Sequence, residues 1–279
     1  MAKYQYETVK VDINNLVAHV QLNRAKKLNA FNDAMVRDVR LVFEDLAGDK
    51  NIRVVVLSGS GRMLTAGLDL TESTLLKSTD EETGEELDCA RKSYNTRAHI
   101  ENFQQAFTAI EKCDKPVIAA IHSGCYGAGV DMVTACDMRY CTKDALFCVK
   151  EVDVGLAADV GTLQRLPKVI GNQSLVRELC FSGRNMYAAE AHQAGLVNRV
   201  FDTFDEMMAE AMNMANLIAS KSPVAVVGTK HNLIYSRDHS VAESLAYQVT
   251  WSSAMLNTDD IPKSFVAFVS KEPAKYSKL

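Results

Sequence analysis

The chain has 279 residues, 47% of them hydrophobic and 24% charged, with a formal net charge of −4. That is enough for one large domain, or a main domain with a smaller appendage, around a real core. The charge balance argues against a nucleic-acid protein, because there is no cationic excess to neutralise phosphates, and no apolar run reaches membrane-spanning length.

Residues 6–11 and 16–22 read as a short hairpin with Asn14-Asn15 as turn residues. Asn32 or Asp33 is placed to cap a helix reaching about residue 46, whose apolar stripe is Met35, Val39, Val42, Phe43 and Leu46. Residues 53–58 (RVVVLS) form a buried-type strand, followed by Gly59-Ser60-Gly61. Residues 71–98 are polar and acidic, with Asp80, Glu81, Glu82, Glu85 and Glu86, and read as a solvated loop or surface helix. Helical periodicity returns over 100–112, and PVIAAI at 116–121 is a central strand. A glycine-rich bend at 124–129 leads into a helix ending near 135, and short strands follow at 138–141 and 146–149. This repetition implies an α/β fold of stacked turns.

From 203 onward the pattern is helical, over 204–220, 224–236, 240–256 and 261–270. Ser240 and Glu243 form a capping box, and Pro223 and Pro262 suit first turns. The expected division is a core at 1–202 and a helical region at 203–279 whose apolar faces are suited to covering a neighbouring subunit. Seven cysteines, an odd number without a CxxC pair, point to reduced thiols and away from a disulfide frame or zinc site. The N-terminal segment has neither a signal-peptide h-region nor an Arg-rich transit pattern. Ser277-Lys278-Leu279 reads as a peroxisomal address, so a peroxisomal location and an import receptor as partner are expected.

Three carboxylates carry the chemical argument. Asp131 lies in GAGVDMVTACD, and Glu151 and Asp159 lie in KEVDVGLAADVGTLQRL. Carboxylates away from water are costly unless paired or neutralised. Several around one pocket have their pKa values pushed apart, which makes a proton donor and an acceptor from one residue type. Bland readings fit each alone: Asp131 complementing a helix dipole, Glu151 on a surface strand, Asp159 as an N-cap. The apolar company of Val152, Val154, Leu156, Ala157 and Ala158 speaks against three solvated acids. Two loops, MLTAGLDL at 63–70 and GCYGAG at 124–129, follow strands and expose backbone N–H groups. One N–H from each, aimed at a thioester oxygen, makes an oxyanion hole, although both loops also read as plain tight turns. No dinucleotide fingerprint, nucleophile elbow, HExxH or Walker loop is present. His122 after an apolar strand reads as a packed core residue, and Cys125 lacks a base that would make it a nucleophile.

The segments NRAKKLNAF (23–31), TAGLDL (65–70), KPVIAAIHSGCYGAGVDMVTACDMRY (115–140) and VGTLQRLP (160–167) together resemble the crotonase, or enoyl-CoA hydratase/isomerase, superfamily over essentially the whole chain. Within it, residues 150–175, SKSPVAVVGTK at 220–230 and YSRDHSVAESL at 235–245 resemble the Δ3,5-Δ2,4-dienoyl-CoA isomerases. The resemblance implies a spiral of ββα turns and a helical C-terminal region that makes homotrimers, often stacked as hexamers. It implies an oxyanion hole from the Leu68 and Ala128 N–H groups, with Gly129 flanking the second. The family loop usually has three consecutive glycines, and Ala128 replaces the middle one, which puts the second donor's backbone in question.

Hydratases of the family carry acids at Asp131 and Glu151 but usually glycine where this chain has Asp159. By resemblance, Asp159 takes a C2 proton and Glu151 delivers one to C6, with the labels exchanging by direction, while Asp131 tunes Glu151. No metal or redox cofactor is implied. CoA is part of the substrate, its adenine end expected along Ala66, Gly67, Leu68, Asp69 and Leu70 and along Leu28 to Ala30. Arg24, Lys26 and Lys27 either meet its phosphates or form an exposed basic turn. The implied activity is isomerisation of 3,5-dienoyl-CoA in unsaturated fatty-acid β-oxidation. The alternatives are a 2-enoyl-CoA hydratase, a Δ3-Δ2-enoyl-CoA isomerase, or a non-catalytic crotonase-fold scaffold or RNA-binding protein.

Overall fold

Residues 4–72, 79 and 84–279 are described by the structure, a computed structural model. Its β-branched runs become strands of two sheets. In chain order the elements are β1 (Val9–Asn14), β2 (Val17–Leu22), α1 (Asp33–Gly48), β3 (Val54–Gly59), α2 (Cys89–Lys112), β4 (Val117–Ile121), β5 (Gly124–Tyr126), α3 (Ala128–Thr134), β6 (Met138–Thr142) and β7 (Leu146–Cys148). They continue with α4 (Thr162–Val169), α5 (Gln173–Ser182), β8 (Met186–Tyr187), α6 (Ala188–Gln193), β9 (Arg199–Phe201), α7 (Phe204–Ala219), α8 (Pro223–Arg237), α9 (Val241–Met255) and α10 (Asp260–Ser270).

The large sheet has the order β1-β2-β3-β4-β6-β9, and the small one β5-β7-β8. Only β1 is antiparallel in the large sheet, paired with β2 from Val9↔Leu22 to Asn14↔Val17. Asn15 closes that hairpin at φ 55°, a conformation Asn tolerates better than most residues. Each turn of the chain gives one strand to each sheet and then a helix: β4, β5, α3, then β6, β7, α4. A parallel bridge between Thr65 and Cys125 ties the loop after β3 to the same small sheet. This is the expected spiral of ββα turns.

All six residues of β3 are buried, as a strand covered on both faces requires. On one face, α1 buries Met35, Val39, Val42, Phe43 and Leu46, the stripe visible in the sequence. Phe31, Phe103 and Phe107 meet there with ring centroids 5.3–5.8 Å apart. Truncating Phe107 to alanine removes about 3–5 kcal/mol. On the other face, Val54, Val56, Ile118, Ala120 and Tyr140 pack against Met207, Ala211, Ala215 and Ala219 of α7. The small residues at four-residue spacing let α7 lie close to the sheet. Thus α7, though C-terminal to residue 202, covers the large sheet, while α9 buries no residue and α10 only Asp260.

One expectation is resolved here and one corrected. The stretch 89–98, expected within a solvated loop or surface helix, is the surface helix: it forms the first half of α2, capped by Asp88, whose Oδ1 accepts the Arg91 N–H at 2.8 Å. Its outer residues face water, while Phe103, Ala106, Phe107 and Ile110 anchor the second half. Asp80, Glu81 and Glu82 lie outside the described residues. Residues 124–126 are a strand, which leaves the sharp turn to Gly127. All seven cysteines are free, six of them buried.

Candidate active site

The two main-chain loops are pinned to each other. Residues 65–69 run beside 28–31 through Ala66 N–H to Leu28 O (2.9 Å), Phe31 N–H to Gly67 O (2.7 Å) and Asp69 N–H to Phe31 O (2.9 Å). Thr65 also exchanges hydrogen bonds with the second loop, donating to Gly124 O at 3.1 Å and accepting from Tyr126 N–H at 3.3 Å. Buried Asn29, which sequence reasoning passed over, donates from Nδ2 to Ser60 O (2.7 Å), Met63 O (3.1 Å) and Leu64 O (3.0 Å). Gly67 sits at φ 88°, and a Cβ there would lie 2.8 Å from Tyr126 O, so a side chain would wedge the loops apart.

Gly127 is at φ 47° and caps α3, whose first residue is Ala128. A Cβ on Gly127 would lie 3.2 Å from Glu151 Oε1. Ala128 is not among the residues of positive φ. The position that demands glycine is therefore 127, and alanine at 128 keeps its N–H without strain. Among the described residues, no backbone hydrogen bond uses the Leu68 or Ala128 N–H.

Glu151 opens a 3-10 turn (Glu151–Val154) where a strand was one of the expectations, and Asp159 lies in the loop beyond it. Gly161, not Asp159, is the N-cap of α4. Asp131 stands in the first turn of α3 and is fully buried, its Oδ1 accepting the Thr162 N–H. Burial and then the Glu151 charge push the Asp131 carboxyl well above its ordinary value. Glu151 is raised by burial and by the Asp159 charge, and its carboxyl is within hydrogen-bond reach of Asp131. Asp131 Oδ2 and Glu151 Oε2 are both buried, and among the described residues neither has a donor. One proton shared between the two carboxyls satisfies both oxygens, and the pair then titrates as a unit. Burial also raises Asp159, while its own backbone N–H and the nearby His99 oppose the rise.

These groups meet at a cavity of about 720 Å³, open mouth included. Its lining combines Ala66, Gly67, Leu68, Leu70, Gly127 and Ala128 from the two loops with Glu151, Asp159, Val154, Leu156 and Val160. Both acids therefore share a cavity with the two unused N–H groups. His99, Ile100 and Phe103 of α2 complete the lining, with Lys150. The sequence held one signal for that part of the lining, the helical spacing of Ile100, Phe103 and Phe107.

Several expected contacts are corrected. Asp131 does not line the cavity; it stands behind Glu151. Gly129 is also outside the lining, because its α-carbon packs against Thr65 and Cys125 side chains. Leu28 O accepts from Ala66 N–H, Ala30 O accepts from Arg24 Nη1, and neither residue lines the cavity. Asp69 is buried and turned away from the cavity, with Oδ2 on Arg24 Nη1 (3.1 Å) and Oδ1 accepting from Thr71 Oγ1 (2.7 Å). Burial lifts Asp69, but these bonds outweigh it and hold the carboxyl below its ordinary value. Arg24 is spent on Asp69 and Glu72, and Lys27 also pairs with Glu72 at 3.1 Å. Val152, Val154 and Ala157 are exposed, so the apolar company of the acids is partly surface and partly cavity wall. His122 is the packed residue expected, buried against Phe204 and hydrogen-bonded to Gly61 O at 3.0 Å. Among the described residues, no group of three or more His, Cys, Asp or Glu side chains is placed to hold a metal ion.

Comparison with known proteins gives the same picture. The Delta(3,5)-Delta(2,4)-dienoyl-CoA isomerase, mitochondrial, of Mus musculus is 53% identical over 285 aligned residues, covering 100% of this chain and 85% of the relative. The peroxisomal protein of the same name from Arabidopsis thaliana is 40% identical, covering 98% of this chain and 97% of its own length. Among solved structures, the enoyl-CoA hydratase from Bacillus anthracis superposes with a TM-score of 0.86 at 26% identity, covering 97% of this chain and 99% of that one. The family model for enoyl-CoA hydratase/isomerase matches residues 12–278. With that match and the ββα spiral, the chain belongs to the enoyl-CoA hydratase/isomerase, or crotonase, superfamily.

Proposed function

We propose that this protein is a Δ3,5-Δ2,4-dienoyl-CoA isomerase of unsaturated fatty-acid β-oxidation. One observation carries the reading: Asp159 and Glu151 line the same cavity as Leu68 and Ala128. The names of the mouse and Arabidopsis relatives support it. The thioester oxygen accepts from the Leu68 and Ala128 N–H groups, which stabilise it as C2 loses its proton. One such donor is worth about 2.7–4 kcal/mol in the transition state. Asp159 takes the C2 proton, and the electron pair delocalises from the enolate through C4 to C6. Glu151, whose carboxyl burial and the Asp159 charge raise above its ordinary value, delivers a proton to C6. The double bonds at C3 and C5 become double bonds at C2 and C4, and atoms and charge balance without a redox cofactor. Asp131 acts through Glu151 by sharing its proton.

The test is 3,5-octadienoyl-CoA, followed by the absorbance of the conjugated 2,4-dienoyl product. Its appearance supports the reading; folded protein that gives none, yet adds water to crotonyl-CoA, is a hydratase. The chain assembles as a homotrimer, or as a hexamer of two trimers, through the apolar faces of its last helices. Import into peroxisomes runs through Ser277-Lys278-Leu279 and its receptor, a reading supported by the peroxisomal Arabidopsis relative, whereas the mouse relative is named as mitochondrial. Deleting the tripeptide is expected to leave turnover within about twofold while a fluorescently tagged chain stays in the cytosol; continued peroxisomal import rejects the address.

A further inference from the structure

Behind the cavity, the Thr162 N–H that serves Asp131 sits at the start of α4, directly after Gly161. Gly161 is at φ 142°, and a Cβ added there would collide with the guanidinium of Arg165, which lies against the glycine's α-carbon. Arg165 is itself fixed. Its Nε donates to Glu111 Oε1 at 3.3 Å, and its Nη2 to Glu111 Oε2 at 3.2 Å and to Thr108 Oγ1 at 3.3 Å. Arg165 and Glu111 are only 12% and 14% exposed. Arg237, at the end of α8, reaches the same Glu111 carboxylate and also pairs with Asp238 at 2.9 Å. Burial pushes Glu111 up, but the two guanidiniums outweigh it and keep it ionised. So enclosed a pair as Arg165 and Glu111 is a poor source of net stability, which leaves geometry as what it secures.

We propose that Arg165 is a positioning residue: held by Glu111 of α2 and, through it, by Arg237 of α8, it fixes the Gly161-Thr162 turn so that Asp131 keeps Glu151 aimed into the cavity. The helical end of the chain thereby reaches the acid pair without lining the cavity. The kinetic part of the test rests on the isomerase reading above; the folding part does not.

Kinetics on 3,5-octadienoyl-CoA compare Arg165→Met, Arg165→Lys and Arg237→Met, each alone and combined with Asp131→Asn. Arg165→Met is expected to lower kcat by about tenfold to a hundredfold with KM within about twofold. Lysine restores part of the loss. In the Asp131→Asn background the same change costs little more, since its route is already cut. An equal loss in both backgrounds, or a folded Arg165→Met enzyme with unchanged kcat, overturns the proposal. A urea-unfolding cycle of Arg165→Met with Asp131→Leu gives a readout without substrate. Coupling of about fivefold or more in the unfolding equilibrium constant is expected, and additivity overturns the link. If wild type turns over no dienoyl-CoA, the function reading falls while this cycle still decides the inference. Should Arg165→Met not fold, Arg237→Met, farther from the turn, carries the same cycle with a smaller expected coupling.

Discussion

α1 and α9 are nearly the same length, 16 and 15 residues, and both carry apolar residues at helical spacing. α1 hides its stripe, with seven residues buried under the large sheet. α9 hides none; Val241, Leu245 and Val249, four residues apart, are 77%, 63% and 70% exposed. α10 repeats this, with Phe265, Val266, Phe268 and Val269 on the surface. Periodicity says that a helix forms and has an apolar face, but not whose surface that face meets. The core folds around itself and holds the cavity, while the last helices leave an apolar face exposed, the face assigned above to assembly. The two regions should therefore fail in different ways.

The largest expected effect sits in the core. Glu151→Gln and Asp159→Asn should each lower kcat by about 10²–10⁴-fold with little change in KM, while sedimentation shows an unchanged assembly. Loss of assembly in these variants would erase the separation between the regions. Next is Gly67→Ala, which forces an L-residue to φ 88° and pushes Tyr126 O away. A drop of about 10²–10³-fold in kcat is expected as the Leu68 N–H leaves its line, measured by steady-state kinetics. At the other end, Leu245→Glu with Phe268→Glu should weaken assembly by about 3–6 kcal/mol, since burying each side chain is worth about 1.5–3 kcal/mol. Sedimentation should then show monomer with native circular dichroism; an intact oligomer would mean that these faces serve another purpose.

The effect confined to one pH window is on stability. The folded-state pKa of Asp131 is raised, so the folded chain binds more protons than the unfolded one above the ordinary carboxylate range. Stability contributed by this group is present at low pH and is lost as pH rises from about 4 toward the raised value. Asp131→Asn cannot ionise, so its stability relative to wild type should climb across that window by about 1.4 kcal/mol per unit of the shift. Urea midpoints measured from about pH 5 to about pH 8 check the sign. A constant difference would mean that Asp131 carries no raised pKa.

What was legible in the sequence follows from how local the cause is. The α1 stripe and the Ser240–Glu243 box depend on neighbours within a few residues and appear as read, while the hairpin appears with its turn one residue later, at Asn15-Leu16, because Asn14 still pairs with Val17. The three acids were visible, but which two touch the cavity was not, because burial of Asp131 depends on α4 returning to cap it. Arg24, Lys26 and Lys27 look like a phosphate site in one dimension. In three, Asp69 and Glu72 come back from 45 and 48 residues away to occupy Arg24. The first half of α2 stayed undecided between loop and surface helix because its apolar anchors begin only at Phe103. Resemblance filled the gap that periodicity left at Asp159, whose neighbours alone read as an N-cap.

Gly127 answers two demands at once, the backbone bend before α3 and the clearance beneath Glu151. Any side chain here must take up positive φ and also displace the Glu151 carboxylate by a few tenths of an ångström, so a substitution at 127 reaches the acid even when the helix still forms.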